Sequence, residues 1–247
     1  MKILKKLRNP SFSFILASLI LFSSCKDNEL LPLENESKSF EFYFENTSKL
    51  NDFVFDLAKS YPKKELNSED LEEFIYENIK KSELNSINYI DIGFYKRIKD
   101  YRLNQKSNEE ITLQDTGLSQ KSLDYFYELE NLNEAADYFG MVTLLEQYKL
   151  EYNSDPSLES LAGVFAVIEY YKDDLSTNNR PDCELDGSAA AGAAIGGAIM
   201  GGRVGFIFGS WLGPAGSAAG AIGGAIVGSI GSSIINIAYQ AVTTCDL

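Results

Sequence analysis

The sequence predicts a mainly α protein, an acidic helical bundle followed by a glycine-rich hydrophobic helical hairpin. Three observations predict it. Glycines recur at every fourth residue along two apolar segments near the C-terminus, and apolar residues upstream recur at i, i+3, i+4 and i+7. Charge is also segregated: of 36 acidic residues only Asp246 lies beyond Asp186, and Arg203 is the single charged side chain between Gly187 and Thr244.

The chain opens with Lys2, Lys5, Lys6 and Arg8, followed by the apolar stretch Phe12–Phe22 and then Ser23-Ser24-Cys25. A basic start, a short apolar run and small residues before a cleavage point describe a secretory signal. The run is too short to be a dependable permanent span. Leu21-Phe22-Ser23-Ser24-Cys25 resembles the lipobox of bacterial lipoproteins. That resemblance implies a signal peptide over residues 1–24 and a lipidated Cys25 as the mature N-terminus. Lys26-Asp27-Asn28-Glu29 resembles the short charged signal that carries lipoproteins of the Bacteroidota to the cell surface. The expected location is the bacterial outer membrane or cell surface, lipid-anchored.

Residues 25–45 read as a lipidated tether ending in a short extended segment. Phe40, Phe42 and Phe44 alternate with Glu41, Tyr43 and Glu45, a period of two that suits a strand. Ile87–Tyr95 is the one stretch that could pair with it.

Residues 46–180 read as the bundle. Leu50, Phe53, Val54, Leu57, Ala58 and Tyr61 draw a helical face, with caps expected from Asn46–Ser48 and a stop at Pro62. Leu71, Phe74, Ile75 and Ile79 draw a second, and Ile90–Tyr101 suggests a third. Leu103–Gln120 is polar and reads as a loop; Leu123, Phe126, Tyr127 and Glu130 suggest a fourth helix. Ala135–Tyr152 and Pro156–Leu175 follow, the latter with Asp155 as N-cap and Pro156 at its first position. The aromatics of this region, among them Tyr125, Phe126, Tyr148, Tyr152 and Phe165, read as core.

Residues 181–247 read as the hairpin, with helices over Ser188–Leu212 and Ala215–Val242 joined at Gly213-Pro214. One stripe is Gly197, Gly201, Gly205, Gly209 and Gly213; the other is Gly216, Gly220, Gly224 and Gly228, with Ser232 continuing the step. Each glycine costs about 0.8–1 kcal/mol against alanine in a water-exposed helix. In lipid the backbone satisfies its own hydrogen bonds, and small residues at this spacing let helices approach closely. At 1.5 Å per residue the segments measure about 37 and 42 Å, enough for a hydrocarbon core of about 30 Å. The run Gly192–Ser233 resembles the glycine-zipper two-helix segments of envelope lipoproteins and of some membrane-active bacteriocins.

Much chemistry is excluded. The chain has no histidine, so the commonest general base and nucleophile activator is missing. Zinc needs about four ligands, and the body of the chain has Cys183 and Cys245 alone as thiols. There is no Gly-Lys-Ser/Thr phosphate loop and no calcium-loop spacing of acids. No enzyme, cofactor or metal is expected. Without the four basic residues of the signal, 18 basic stand against 36 acidic, a formal net charge of −18 that repels nucleic acid and anionic headgroups.

Cys183 precedes the hairpin and Cys245 follows it, so antiparallel helices of similar length should bring the two thiols together. In an exported protein such a pair is expected as a disulfide. Arg203 stands near the middle of the first apolar segment, where a charge costs about 2.5–3.5 kcal/mol on insertion scales. It is the functional charge candidate, either packed and snorkelled or lining an assembly.

The expectation is therefore a non-enzymatic envelope lipoprotein whose disulfide-closed hairpin inserts into or packs on a lipid bilayer and self-associates through its glycine faces, the protein partner being unspecified. The alternative is a bacteriocin-like or colicin-like antagonist that permeabilises a target membrane, its hairpin shielded by the bundle until contact.

Overall fold

The computed structural model describes residues 38–61, 68–82, 111–177 and 186–244. The signal over residues 1–24, the lipidation candidate Cys25, the helix expected over Ile90–Tyr101 and both Cys183 and Cys245 lie outside the described residues. Those residues contain helices and no strand.

Helix α1 (Phe40–Lys59) begins where a strand was expected. Phe40, Tyr43, Thr47, Leu50, Asn51, Val54 and Ala58 are buried, a single helical face that continues from the phenylalanine-rich start, with Leu50 and Asn51 side by side on it. The alternation was a coincidence of composition: Phe42 and Phe44 flank the buried stripe and are half-buried. The N-cap is accordingly Ser39, whose hydroxyl accepts from the Phe42 N–H, and not a residue of Asn46–Ser48. Helix α2 (Ser68–Lys81) buries Leu71, Ile75 and Ile79, as its pattern predicts.

Within the stretch read as a loop, Leu113–Thr116 forms a 3-10 turn with Leu113 and Thr116 buried. Helix α3 (Gln120–Glu134) follows, capped by Ser119. The helix expected from Ala135 starts later, as α4 (Tyr138–Tyr152), with Asp137 accepting from the Gly140 N–H. Ala136 turns left-handed at φ 52°, and the Asp137 N–H reaches back to the Leu132 carbonyl at 2.8 Å. That closes α3 with the six-to-one bond of a Schellman turn.

Asp155 and Pro156 open the next segment as predicted, but the single helix expected over Pro156–Leu175 is three pieces. They are a 3-10 turn (Pro156–Leu161), α5 (Ala162–Tyr170) and α6 (Lys172–Thr177). Helices α7 (Gly187–Gly209) and α8 (Pro214–Thr244), joined by a 3-10 turn at Ser210–Leu212, form the apolar hairpin.

A shell of shorter helices covers the hairpin in part, and a little over half of its apolar length is buried. Helix α8 packs against α1, α5 and α2, while α7 packs against α5, α3 and α6. Helix α1 also packs on α5, and α4 lies chiefly on α3, α5 and α6. Between these layers Tyr148 stacks on Phe165 with ring centres 4.1 Å apart, and Phe40, Tyr125 and Tyr152 meet the Tyr148 ring edge-on or tilted. The aromatic load is core, and its size supplies much of the burial that holds the shell together.

Candidate functional site

The two glycine stripes face each other. Moving along the hairpin, Gly197 opposes Gly228, Gly201 opposes Gly224, Gly205 opposes Gly220 and Gly209 opposes Gly216. At each rung the approach is reciprocal: a methyl group on Gly201 would stand 2.0 Å from the Gly224 carbonyl oxygen, and one on Gly224 would stand 2.1 Å from that of Gly201. No side chain fits there. The glycine hydrogens point instead at the facing carbonyls, the geometry of paired Cα–H···O contacts. Ser232 extends the stripe as expected, its side chain lying against Gly197.

Gly213 does not belong to this packing surface. It has φ 85° and ψ −174°, nothing stands within 4 Å of where its Cβ would be, and its role is to reverse the chain. The reversal is held by the Gly213 N–H donating to Ser210 O at 3.0 Å and the Ser217 N–H donating to Gly213 O at 2.9 Å. The glycine faces are thus occupied within one chain, and self-association would have to use other residues.

The open end of the hairpin is tied by polar groups. Asp186 caps α7, its carboxylate accepting from the Ser188 N–H at 3.0 Å and the Ala189 N–H at 3.2 Å. Gln240 of α8 brackets the Asp186 backbone, its Oε1 accepting from the Asp186 N–H and its Nε2 donating to the Asp186 carbonyl at 3.3 Å. The outer ends of the two helices therefore meet, three residues after Cys183 and five before Cys245.

The closed end has the opposite character. Phe208 is 46% exposed and Leu212 63%, Phe206 and Ile207 are half-buried, and no charged residue lies between Arg203 and Thr244. Arg203 itself is half-buried on the α7 face turned away from the zipper, in a stripe with Ala193, Gly196, Met200 and Ile207. By length and composition both hairpin helices could cross a membrane, yet 56% and 61% of their apolar windows are buried inside the protein, as in a soluble core.

Outside the hairpin, two charged knots fasten the shell. Glu169 of α5 lies between Lys149 of α4 at 2.7 Å and Lys172 of α6 at 2.5 Å. Burial pushes the Glu169 carboxyl up, but the two lysines more than reverse this and hold it below the usual carboxylate range. Lys121 of α3 joins Glu151 of α4 at 2.7 Å to Asp155 at 3.1 Å; the ammonium lowers the Glu151 carboxyl, and the Ser157 hydroxyl, followed by Lys121, lowers that of Asp155.

One close approach was not foreseen. Gly163 of α5 meets α8 where a methyl group would stand 2.1 Å from Ser229 Oγ and 3.0 Å from the Ile226 carbonyl. Its signal was present, a glycine inside the apolar run Ala162–Ile168, but a lone glycine has no period to mark it.

No family model matches the chain, and neither a curated protein nor a solved structure matches it.

Proposed function

We propose that the chain is an exported, lipid-anchored protein of the bacterial envelope. It holds a self-zipped hydrophobic hairpin inside an acidic helical shell and delivers that hairpin into a lipid bilayer, permeabilising it. The observation that carries this reading is the zipper itself. Backbone hydrogen bonds are internal to α7 and α8, and the glycine faces are spent on each other. A hairpin released from the shell would present mainly apolar side chains, which hydrocarbon accepts and water does not. Small residues at four-residue spacing are also how helices associate closely in lipid.

The reading is tested with dye-loaded phosphatidylcholine vesicles and the mature chain, residues 25–247. Dose-dependent dye release is expected. Inert behaviour from a chain with full helical circular dichroism would sink permeabilisation and leave the hairpin as the core of a structural envelope lipoprotein. The second reading has its own support, the burial of more than half of each apolar window.

A further inference from the structure

Beside the hairpin tip, a cleft of about 420 Å³ opens between the 3-10 turn at Leu113–Thr116 and the start of α8. Phe206, Pro214 and Ala218 supply apolar walls, and the backbone of Gly117, left-handed at φ 72°, forms part of the rim. Three hydroxyls also line it, and all three protons are already committed. Thr116 Oγ1 donates to Leu113 O at 2.5 Å, Ser210 Oγ to Ile207 O at 2.7 Å and Ser217 Oγ to Gly213 O at 3.2 Å. The lining carries no charged group. A small-molecule site normally offers a few free polar groups that fix a ligand's orientation, and this one has turned its hydroxyl donors inward.

We infer that this cleft receives one hydrocarbon chain of a membrane lipid and thereby docks the hairpin tip on a bilayer. The occupant follows from three features. A wall with spent donors selects an apolar ligand without a polar head at depth. The exposed Phe208 and Leu212 stand at the tip outside the cleft lining and add an apolar surface suited to the headgroup boundary. The formal net charge of −18 on residues 25–247 directs the choice toward zwitterionic rather than anionic lipid. This inference rests on the membrane reading above, and supplies its point of first contact.

Trp211, the one tryptophan of the chain, lies in the tip turn between Ser210 and Leu212 and serves as the probe. The test uses residues 25–247 carrying Cys25→Ser, so that no attached lipid confers binding, with phosphatidylcholine vesicles brominated on their acyl chains. At least twofold quenching of Trp211 relative to unlabelled vesicles is expected, and weaker quenching when anionic lipid is added at low salt. Ala218→Leu, which fills the cleft, should weaken vesicle partitioning at least threefold with helicity unchanged.

A brominated nonionic single-chain amphiphile, used below its micelle concentration on the unaltered cleft, should quench saturably at one molecule per chain. This measurement does not depend on the variant folding. Absence of vesicle quenching overturns the docking, and unchanged partitioning of a folded Ala218→Leu chain, or no saturable quenching by the amphiphile, overturns the cleft. Dye release distinguishes the two readings. Release without Trp211 quenching removes this inference alone, whereas quenching without release removes permeabilisation alone.

Discussion

Gly196 and Gly197 are neighbours in α7, yet a methyl group has opposite consequences at the two. Gly196 is exposed and nothing stands within 4 Å of its Cβ position, so Gly196→Ala gains the ordinary helix advantage of about 0.8–1 kcal/mol. At Gly197 the same group would stand 2.2 Å from the Gly228 carbonyl, a backbone atom that yields only if α8 moves. Gly197→Ala should therefore cost about 1–3 kcal/mol, the usual range for overpacking. Gly213→Ala fails for a third reason. Space is open there, but φ 85° with ψ −174° is a region reserved for glycine, and the strain is about 1–3 kcal/mol. Urea midpoints of the three variants should thus rise, fall and fall. Equal midpoints for the first two would mean that the rungs do not bear on stability.

The hairpin was the most legible element, because a four-residue glycine period and a Gly-Pro break are signals that no other structure produces as readily. Helices α7 and α8 fall within three residues of the expected bounds. Phe40–Glu45 misled because six alternating residues also contain a helical subset, and only the continuation through Thr47 and Leu50 decides between them. The breaks at Ala135 and Tyr171 escaped notice because neither residue is a recognised breaker; the first is made locally, by the left-handed Ala136 and the Asp137 cap. That α1, α5 and α8 enclose one another was likewise invisible, since periodicity marks a face without naming what covers it. The charged knots were equally hidden, for the pairs that join separate elements through Lys149 and Lys121 lie 20 to 34 positions apart. Glu169 ties three elements, α4, α5 and α6, and its folded pKa is depressed. Its contribution is therefore complete above the ordinary carboxylate range and lost as pH falls through the lowered value. Glu169→Gln should destabilise by about 1–3 kcal/mol at pH 7, as expected for hydrogen bonds to charged groups. The gap between variant and parent should begin to narrow below the ordinary glutamate value of about 4.3 and close below the lowered folded value. A gap that persists unchanged at pH 2.5, measured by urea titration, would show that packing rather than charge is responsible.

At the scale of the whole molecule, the proposed membrane role would make the shell and a bilayer competitors for the apolar surface of the hairpin. In that reading, release requires α1, α2 and α5 to separate from α8 and α3, α5 and α6 from α7, so the stability of those contacts should set the rate of insertion. The α1 stripe carries levers of both signs. Leu50 is fully buried, and Leu50→Ala should weaken the shell by about 2–5 kcal/mol through lost transfer energy and a cavity. Asn51 is also fully buried, and neither atom of its amide has a protein hydrogen-bond partner. Asn51→Leu exchanges an uncompensated polar group for an apolar one of similar size, and should strengthen the shell by about 1–2 kcal/mol. If the hairpin must leave the shell to act, dye release should be faster than parent in Leu50→Ala and slower in Asn51→Leu. Neither substitution touches the zipper or the tip, so final extents at long times should agree. Thermal midpoints fix the order of stability independently of any membrane. Release rates that ignore that order would mean that the tip acts with the shell closed, and the hairpin would then be core rather than cargo.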